Sequence, residues 1–217
     1  MTPPIAKSQL CLAVETGPTA RDRLLAALAA APIASVVLRA SAGLAIDPRA
    51  AKPLVELLQA RGVATLIETD ARLARTLRAD GVHLTWWRAS PDDYRLAREI
   101  VGAGGIVGAE AGGSRHAAME LGEAGADYVA FGLADDGERG AAADARDALI
   151  EWWSEIFEIP CLALEVADAE DALALAVAGA DFLSLSIAAG WPAAEVASRV
   201  RAVAAALAPA ATVGGAL

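Results

Sequence analysis

The chain has 217 residues, of which 56% are hydrophobic, 21% charged and only 5% aromatic, and its formal net charge is -10. That length allows a substantial core, and the scarcity of rings means the core is built from Ala, Val, Leu and Ile. The charge disfavours nucleic acid and anionic membranes as partners, no apolar run is long enough to span a bilayer, and no basic leader precedes an apolar stretch, so a soluble cytoplasmic protein is expected.

Short apolar runs recur along the chain at 10–14 (LCLAV), 34–39 (ASVVLR), 63–67 (VATLI), 80–84 (DGVHL), 105–109 (GIVGA), 126–132 (ADYVAFG), 160–164 (PCLAL) and 181–187 (DFLSLSI). Each reads as a strand with continuous rather than alternating hydrophobicity, as in a parallel sheet covered on both faces. Helical spacing appears between them: Leu24, Leu25 and Leu28; Leu54, Leu57 and Leu58; Leu96, Ile100 and Val101; Leu173 and Val177. Asp47-Pro48 and Ser90-Pro91 place a capping side chain before a first-turn proline, and Gly62, Gly102, Gly125 and Gly179 fall where helices should end. Eight such βα units predict a closed (β/α)8 TIM barrel over residues 1–207, with 208–217 as a flexible C-terminal tail. An open doubly wound sheet would carry a glycine-rich phosphate loop after its first strand, and "ETGPTARDRL" has none. Cys11 and Cys161 sit within apolar strands and read as small hydrophobes. Catalytic and binding residues in such a barrel belong at the C-terminal strand ends.

"ADGVHL", the Ala97-Arg98 pair, "IVG" at 106–108, "AGADYVAFG" at 124–132, Ile159-Pro160 and "AGADFLSLS" at 178–186 together resemble the thiamine-phosphate synthase and thiazole tautomerase superfamily. The resemblance implies a barrel that joins a thiazole phosphate to a pyrimidine methyl pyrophosphate with Mg²⁺, or rearranges a thiazole carboxylate phosphate. It makes a small phosphorylated heterocycle the expected partner.

Against the family pattern, many working positions are substituted. The Gln-x-Arg-x-Lys of strand two reads Val37, Leu38, Arg39, Ala40, Ser41, which keeps Arg39 as an anion-binding candidate. The metal carboxylate after strand three is Thr69, flanked by Glu68 and Asp70, the candidate Mg²⁺ ligands. The second metal carboxylate, after strand four, is overwritten by Thr85, Trp86, Trp87 and Arg88, which form either a new ligand platform or a plug. Strand five ends in Glu110, a candidate proton-transfer group with His116, and Glu110 and Glu68 are expected to face each other across the mouth. Strand seven runs into Leu164, Glu165 and Val166 instead of a phosphate-cradling Gly-Gly, and strand eight keeps hydroxyls at Ser184 and Ser186 as substrate-binding candidates. His83 reads as a structural residue beside the core. Of Trp152 and Trp153, one must face the barrel, and the other is a candidate contact between copies in a homo-oligomer. The expectation is a divergent member with a degenerate active site: a weakened synthase, a tautomerase-like enzyme, or a non-catalytic barrel that binds a ligand or partner.

Overall fold

Strand and helix alternate without interruption through β1 (Gln9–Glu15), α1 (Ala20–Ala30), β2 (Ser35–Arg39), α2 (Pro48–Gln59), β3 (Ala64–Glu68), α3 (Ala71–Leu77), β4 (Gly81–Leu84) and α4 (Pro91–Val101). The second half repeats this with β5 (Ile106–Glu110), α5 (Arg115–Glu123), β6 (Tyr128–Phe131), α6 (Arg139–Ile156), β7 (Cys161–Ala163), α7 (Ala169–Ala178), β8 (Phe182–Ile187) and α8 (Ala193–Leu207). A computed structural model of the chain describes residues 8–41, 44–85, 89–133 and 139–208. Each strand pairs in parallel with the next, and β1 pairs with β8, so the sheet closes into the (β/α)8 barrel that the sequence predicts.

Alternation along each strand divides the side chains between two cores. Val14, Val36, Leu38, Ile67, Val82, Val107, Val129, Leu183 and Leu185 face the helices and join the main hydrophobic core. Their neighbours face the barrel axis, where Cys11, Ala130 and Leu162 form a smaller cluster with Tyr128, Leu164 and Phe182 around it. Burial raises the Cys11 thiol to about 11 and the Cys161 thiol to about 12, which fits their reading as small hydrophobes. The His83 ring stacks on Tyr128, centroids 5.9 Å apart, and His83 Nδ1 lies 2.8 Å from the Tyr128 hydroxyl. Burial pushes the imidazole down to about 4 and the phenol upward, so the pair sits neutral inside the barrel. Tyr128 fits only because position 108 is glycine: a Cβ there would lie 1.9 Å from the phenol ring.

The family-like "D-strand" motifs have one mechanical role. Asp80, Asp127 and Asp181, just before β4, β6 and β8, each accept a backbone N–H from the preceding odd-numbered strand: Thr65 (2.7 Å), Val107 (2.7 Å) and Cys161 (2.9 Å). Each aspartate's own N–H returns a bond to the carbonyl of that residue, at 2.8, 3.1 and 3.1 Å. These reciprocal pairs seal the N-terminal face of the barrel, where edge N–H groups would otherwise go unmet. Arg98 reinforces one of them through Asp127 (2.5 Å) and the Gly105 carbonyl (2.6 Å).

Helix boundaries follow the sequence signals. Asp47 caps α2 by accepting from the Arg49 N–H (2.9 Å), and Ser90 caps α4 through the Asp93 N–H (3.2 Å). The expected helix-ending glycines adopt positive φ, for example 104° at Gly179. Two helix faces differ from expectation. Leu96, Leu173 and Val177 are exposed, and α4 instead buries Tyr94 and Ala97 while α7 buries Ala172, Leu175 and Ala176. In α7 apolar residues run all the way round, so their period cannot select a face, and the small alanines win the tight contact with the sheet. Trp153 is fully buried and donates to the Ile159 carbonyl (2.8 Å), while Trp152 is half-buried, edge-on to Phe157 with the Arg115 guanidinium 4.8 Å above its ring. The proposed tail begins where α8 ends at Leu207, and positions 209–217 lie outside the described residues.

Candidate functional site at the C-terminal mouth

A cavity of about 490 Å³ opens over the C-terminal ends of β1, β2, β7 and β8, and its walls include Glu15, Arg39, Glu165, Ser186 and Trp191. Parallel pairing sets Glu15 directly beside Arg39, and the β2–β3 register places Glu68 next along the row. All three occupy the axis-facing parity, so the first three strands end in a carboxylate, a guanidinium and a second carboxylate. Burial raises the Glu68 pKa; the Arg39 charge partly offsets this, and Glu15 adds to it.

Arg39 carries the sharpest imbalance in this row. Its Nε is buried without a hydrogen-bond partner, and Arg39 makes no ion pair among the described residues. A buried donor left unmet costs about 1–3 kcal/mol, so such a group marks a position that a ligand can repair. Buried Arg23 also has an unmet Nε, but its two terminal nitrogens hold the floor of this sector: they donate to the carbonyls of Ala188 (2.6 Å), Ile187 (3.3 Å) and Glu15 (2.8 Å), binding the ends of β8 and β1 together, whereas Arg39 has no side-chain hydrogen bond among the described residues. Glu15 Oε2 accepts in turn from Ser41 Oγ (3.3 Å) and the Ala189 N–H (3.2 Å).

The other candidates are distributed around the barrel. Ser186 lines the cavity, whereas Ser184 is buried one layer below, in register with Cys11. Glu110 faces the axis, its Oε1 lying 2.8 Å from the point where a Cβ on Gly132 would sit. A like charge that acts on Glu68 comes from Glu15. His116 stands on α5 with its side chain 78% exposed and Nε2 3.6 Å from Glu120 Oε1, away from the residues that line the cavity. Asp70 caps α3, accepting from the Leu73 N–H (2.8 Å), and borders a separate groove with Asp93 and Leu96. Trp86, Trp87 and Arg88 lie outside the described residues.

Among the described residues the donor set does not suit Mg²⁺. Thr69, where the family resemblance expects a metal carboxylate, takes φ 63° and hydrogen-bonds Thr85 through their hydroxyls at 2.9 Å. Two neutral hydroxyls satisfy each other where a hard cation wants carboxylate oxygens. Glu68 faces a guanidinium and Asp70 is committed to a helix end. Among the described residues no group of three or more His, Cys, Asp or Glu converges as a metal site.

Glu15, Arg146 and Trp191 were not legible as site residues, and Glu165 was legible only as a departure from the family's phosphate loop. Glu15 has a signal in retrospect, since a charged residue ending an apolar strand occupies the same position as Arg39. Arg146 is buried and spans Asp171 Oδ1 (2.6 Å), Asp147 Oδ1 (3.0 Å) and the Leu164 carbonyl (3.0 Å), which fixes the wall around Glu165.

The chain is a closed parallel (β/α)8 barrel with a mixed-charge cavity at its C-terminal mouth, the end where this architecture carries its sites. No helix among the described residues is long and apolar enough to cross a membrane. The chain belongs to the TMP-TENI family, "Thiamine monophosphate synthase", whose model matches residues 4–189. It is 44% identical over 141 residues to a thiamine-phosphate synthase of Erythrobacter litoralis, covering 64% of this chain and 65% of that protein, just under two thirds of its length. A thiamine-phosphate synthase of Rhodospirillum centenum is 42% identical over 166 residues, covering 75% and 78% respectively. Thiamine phosphate pyrophosphorylase from Pyrococcus furiosus superposes with a TM-score of 0.73 over 94% of this chain and 96% of that one; at 20% identity it shares the fold.

Proposed function

We propose that this barrel serves thiamine biosynthesis by binding a small phosphorylated heterocycle at its C-terminal mouth, with Arg39 as the anion-binding side chain and Ser186 beside it. The observation that carries this reading is the buried, unpartnered Arg39 Nε in the wall of a cavity of about 490 Å³. A phosphate ester would satisfy that donor with a charge-assisted bond, and family membership supplies the class of metabolite. The acidic chain and its small-molecule cavity favour a cytoplasmic protein with neither nucleic acid nor membrane as partner.

The second reading is a transferase that joins thiazole phosphate to pyrimidine pyrophosphate, favoured by the relatives named thiamine-phosphate synthase. Weighing against it are the Thr69–Thr85 pair, where the family resemblance expects a metal carboxylate, and two carboxylates flanking Arg39, the guanidinium without a hydrogen bond or ion pair among the described residues of the mouth. Stabilising a departing pyrophosphate calls for several preorganised positive groups. The deciding experiment incubates the protein with both substrates and Mg²⁺ while calorimetry follows thiazole phosphate alone. Binding that Arg39→Gln weakens about tenfold or more, without thiamine phosphate formation, supports the binding barrel. Steady turnover establishes the transferase, and no effect of Arg39→Gln on binding removes Arg39 from the site.

A further inference from the structure

The cations around the mouth are unequally committed. Arg146 divides its donors among two carboxylates and a carbonyl, and Arg199 pairs with Glu195 at 3.1 Å while stacking 4.2 Å over the Trp191 ring. Among the described residues on the β7–β8 side, Arg146 is thus met within the chain and Arg199 is met at its Nε. Arg39, across β1 and β8 from that side, has no such partner.

Glu165 stands on the committed side. It lines the same cavity, and its Oε2 accepts the Leu133 N–H at 2.9 Å. Its φ of 58° lies in the left-handed region, which costs a non-glycine residue about 1 kcal/mol or more and persists only where the surroundings hold it. The strained backbone and the Leu133 bond fix a carboxylate in the cavity wall. A second phosphate approaching there would meet a like charge at Glu165, with Arg146 committed to two carboxylates and Arg199 paired to Glu195 through Nε. Trp191, half-buried between the two regions with Arg199 against its ring, offers a flat surface for a heteroaromatic ligand.

We infer that the mouth is a two-ended site: Arg39 receives the single anionic group of a ligand, and Glu165 receives a cationic or N–H-donating group at the other end, with the ring against Trp191. The inference rests on the reading of Arg39 as the anion-binding end. It names the ligand class as a heteroaromatic bearing one phosphate and a positive or proton-donating ring, and makes Glu165 the residue that selects it over a neutral ring or a diphosphate.

The test uses two matched probes: thiazole phosphate, whose ring is neutral, and its N-methyl thiazolium counterpart, whose ring carries a fixed positive charge. Dissociation constants are measured by calorimetry for the wild type, Glu165→Gln and Arg39→Gln, with circular dichroism and melting temperature confirming the fold of each. The wild type should bind the cationic probe about tenfold more tightly than the neutral one, in line with one charge-assisted contact. Glu165→Gln, which retains an acceptor for the Leu133 N–H, should erase that preference while leaving the neutral probe's affinity unchanged or improved. Arg39→Gln should weaken both probes alike. An unchanged preference in Glu165→Gln, with Arg39→Gln still weakening both, overturns the two-ended site and spares the Arg39 reading. Failure of Arg39→Gln to weaken either probe, or no binding by the wild type, overturns both.

Discussion

At the N-terminal face, Asp80, Asp127 and Asp181 each exchange two hydrogen bonds with the backbone of the preceding strand; at the C-terminal mouth, Arg39 keeps a buried Nε with no partner and Glu165 sits at a strained φ of 58°. One end of the barrel satisfies its polar groups internally and the other leaves some unmet. The division matches the roles of the two ends in this architecture, stability below and ligands above. It also explains how a chain can keep its family's recognisable motifs while its rim changes. "ADGVHL", "AGADYVAFG" and "AGADFLSLS" carry the three sealing aspartates, so the residues that announce the family hold the barrel shut.

The comparison predicts that changes in the lower barrel reduce stability, with the largest effect at Gly108. Gly108→Ala places a methyl 1.9 Å from the Tyr128 ring, with the His83 stack behind it. Overpacking of this kind should cost about 3 kcal/mol or more, read as a lower urea midpoint at unchanged slope. An equally stable alanine variant would mean that the barrel interior is loosely packed.

Acid should attack the same layer. Burial holds the folded His83 near 4 against 6.5 for an unperturbed imidazole, so the unfolded chain takes up this proton first as pH falls. Stability from this group is intact above 6.5, is lost progressively as pH drops toward 4, and levels off below that. The whole loss amounts to about 3 kcal/mol. Urea titrations across this range should show a steeper fall for the wild type than for His83→Gln, which removes the imidazole. Parallel pH profiles would indicate an imidazole that protonates in place.

Removing one seal should cost less. Asp127→Ala strips the Val107 N–H and Arg98 of their acceptor, a loss of about 2 kcal/mol by the usual value of hydrogen bonds to charged groups. Asp181→Ala should act in the same direction, and the two should add because each serves a different strand pair. Neither should change ligand affinity by more than about twofold, since both lie at the opposite end from the mouth. A selective loss of binding in Asp127→Ala would break the separation of the faces.

Which parts were legible in the sequence follows from the same division. Strands buried on both faces write themselves as continuous apolar runs, and all eight appear within a few residues of where the structure places them. Caps such as Asp47-Pro48 and Ser90-Pro91 are local chemistry and were legible for that reason. The outward Leu173 and Val177 were not, because a helix apolar all round gives no phase. Arg39, Ser186 and Glu165 were identifiable at strand ends, but Glu15 and Trp191 join them only through barrel closure, which sets β8 beside β1 and β1 beside β2. Asp70 shows the converse: its neighbourhood in sequence suggested a metal ligand, and a hydrogen bond to the Leu73 N–H makes it a helix cap. A strand-end charge has two local fates, cap or cavity wall, and only the turn that follows decides between them.

The smallest expected stability effect is also the most discriminating. Arg39→Lys retains a cation near Glu68 but has no Nε, so it deletes the orphaned donor without stranding the carboxylate. If the mouth holds an unmet group in readiness for a ligand, this variant should be as stable as the wild type or more so, by up to about 1 kcal/mol. Its affinity for thiazole phosphate should nevertheless fall about tenfold, because an ammonium cannot reproduce the planar two-point grip of a guanidinium on a phosphate. Thermal melts and calorimetry on one preparation read both quantities. A lysine variant that loses stability and keeps its affinity would assign Arg39 to the scaffold and extend the rule of the lower face to the rim. Opposite signs in the two measurements would show that stability and binding compete at this one side chain, as they do not at Asp127.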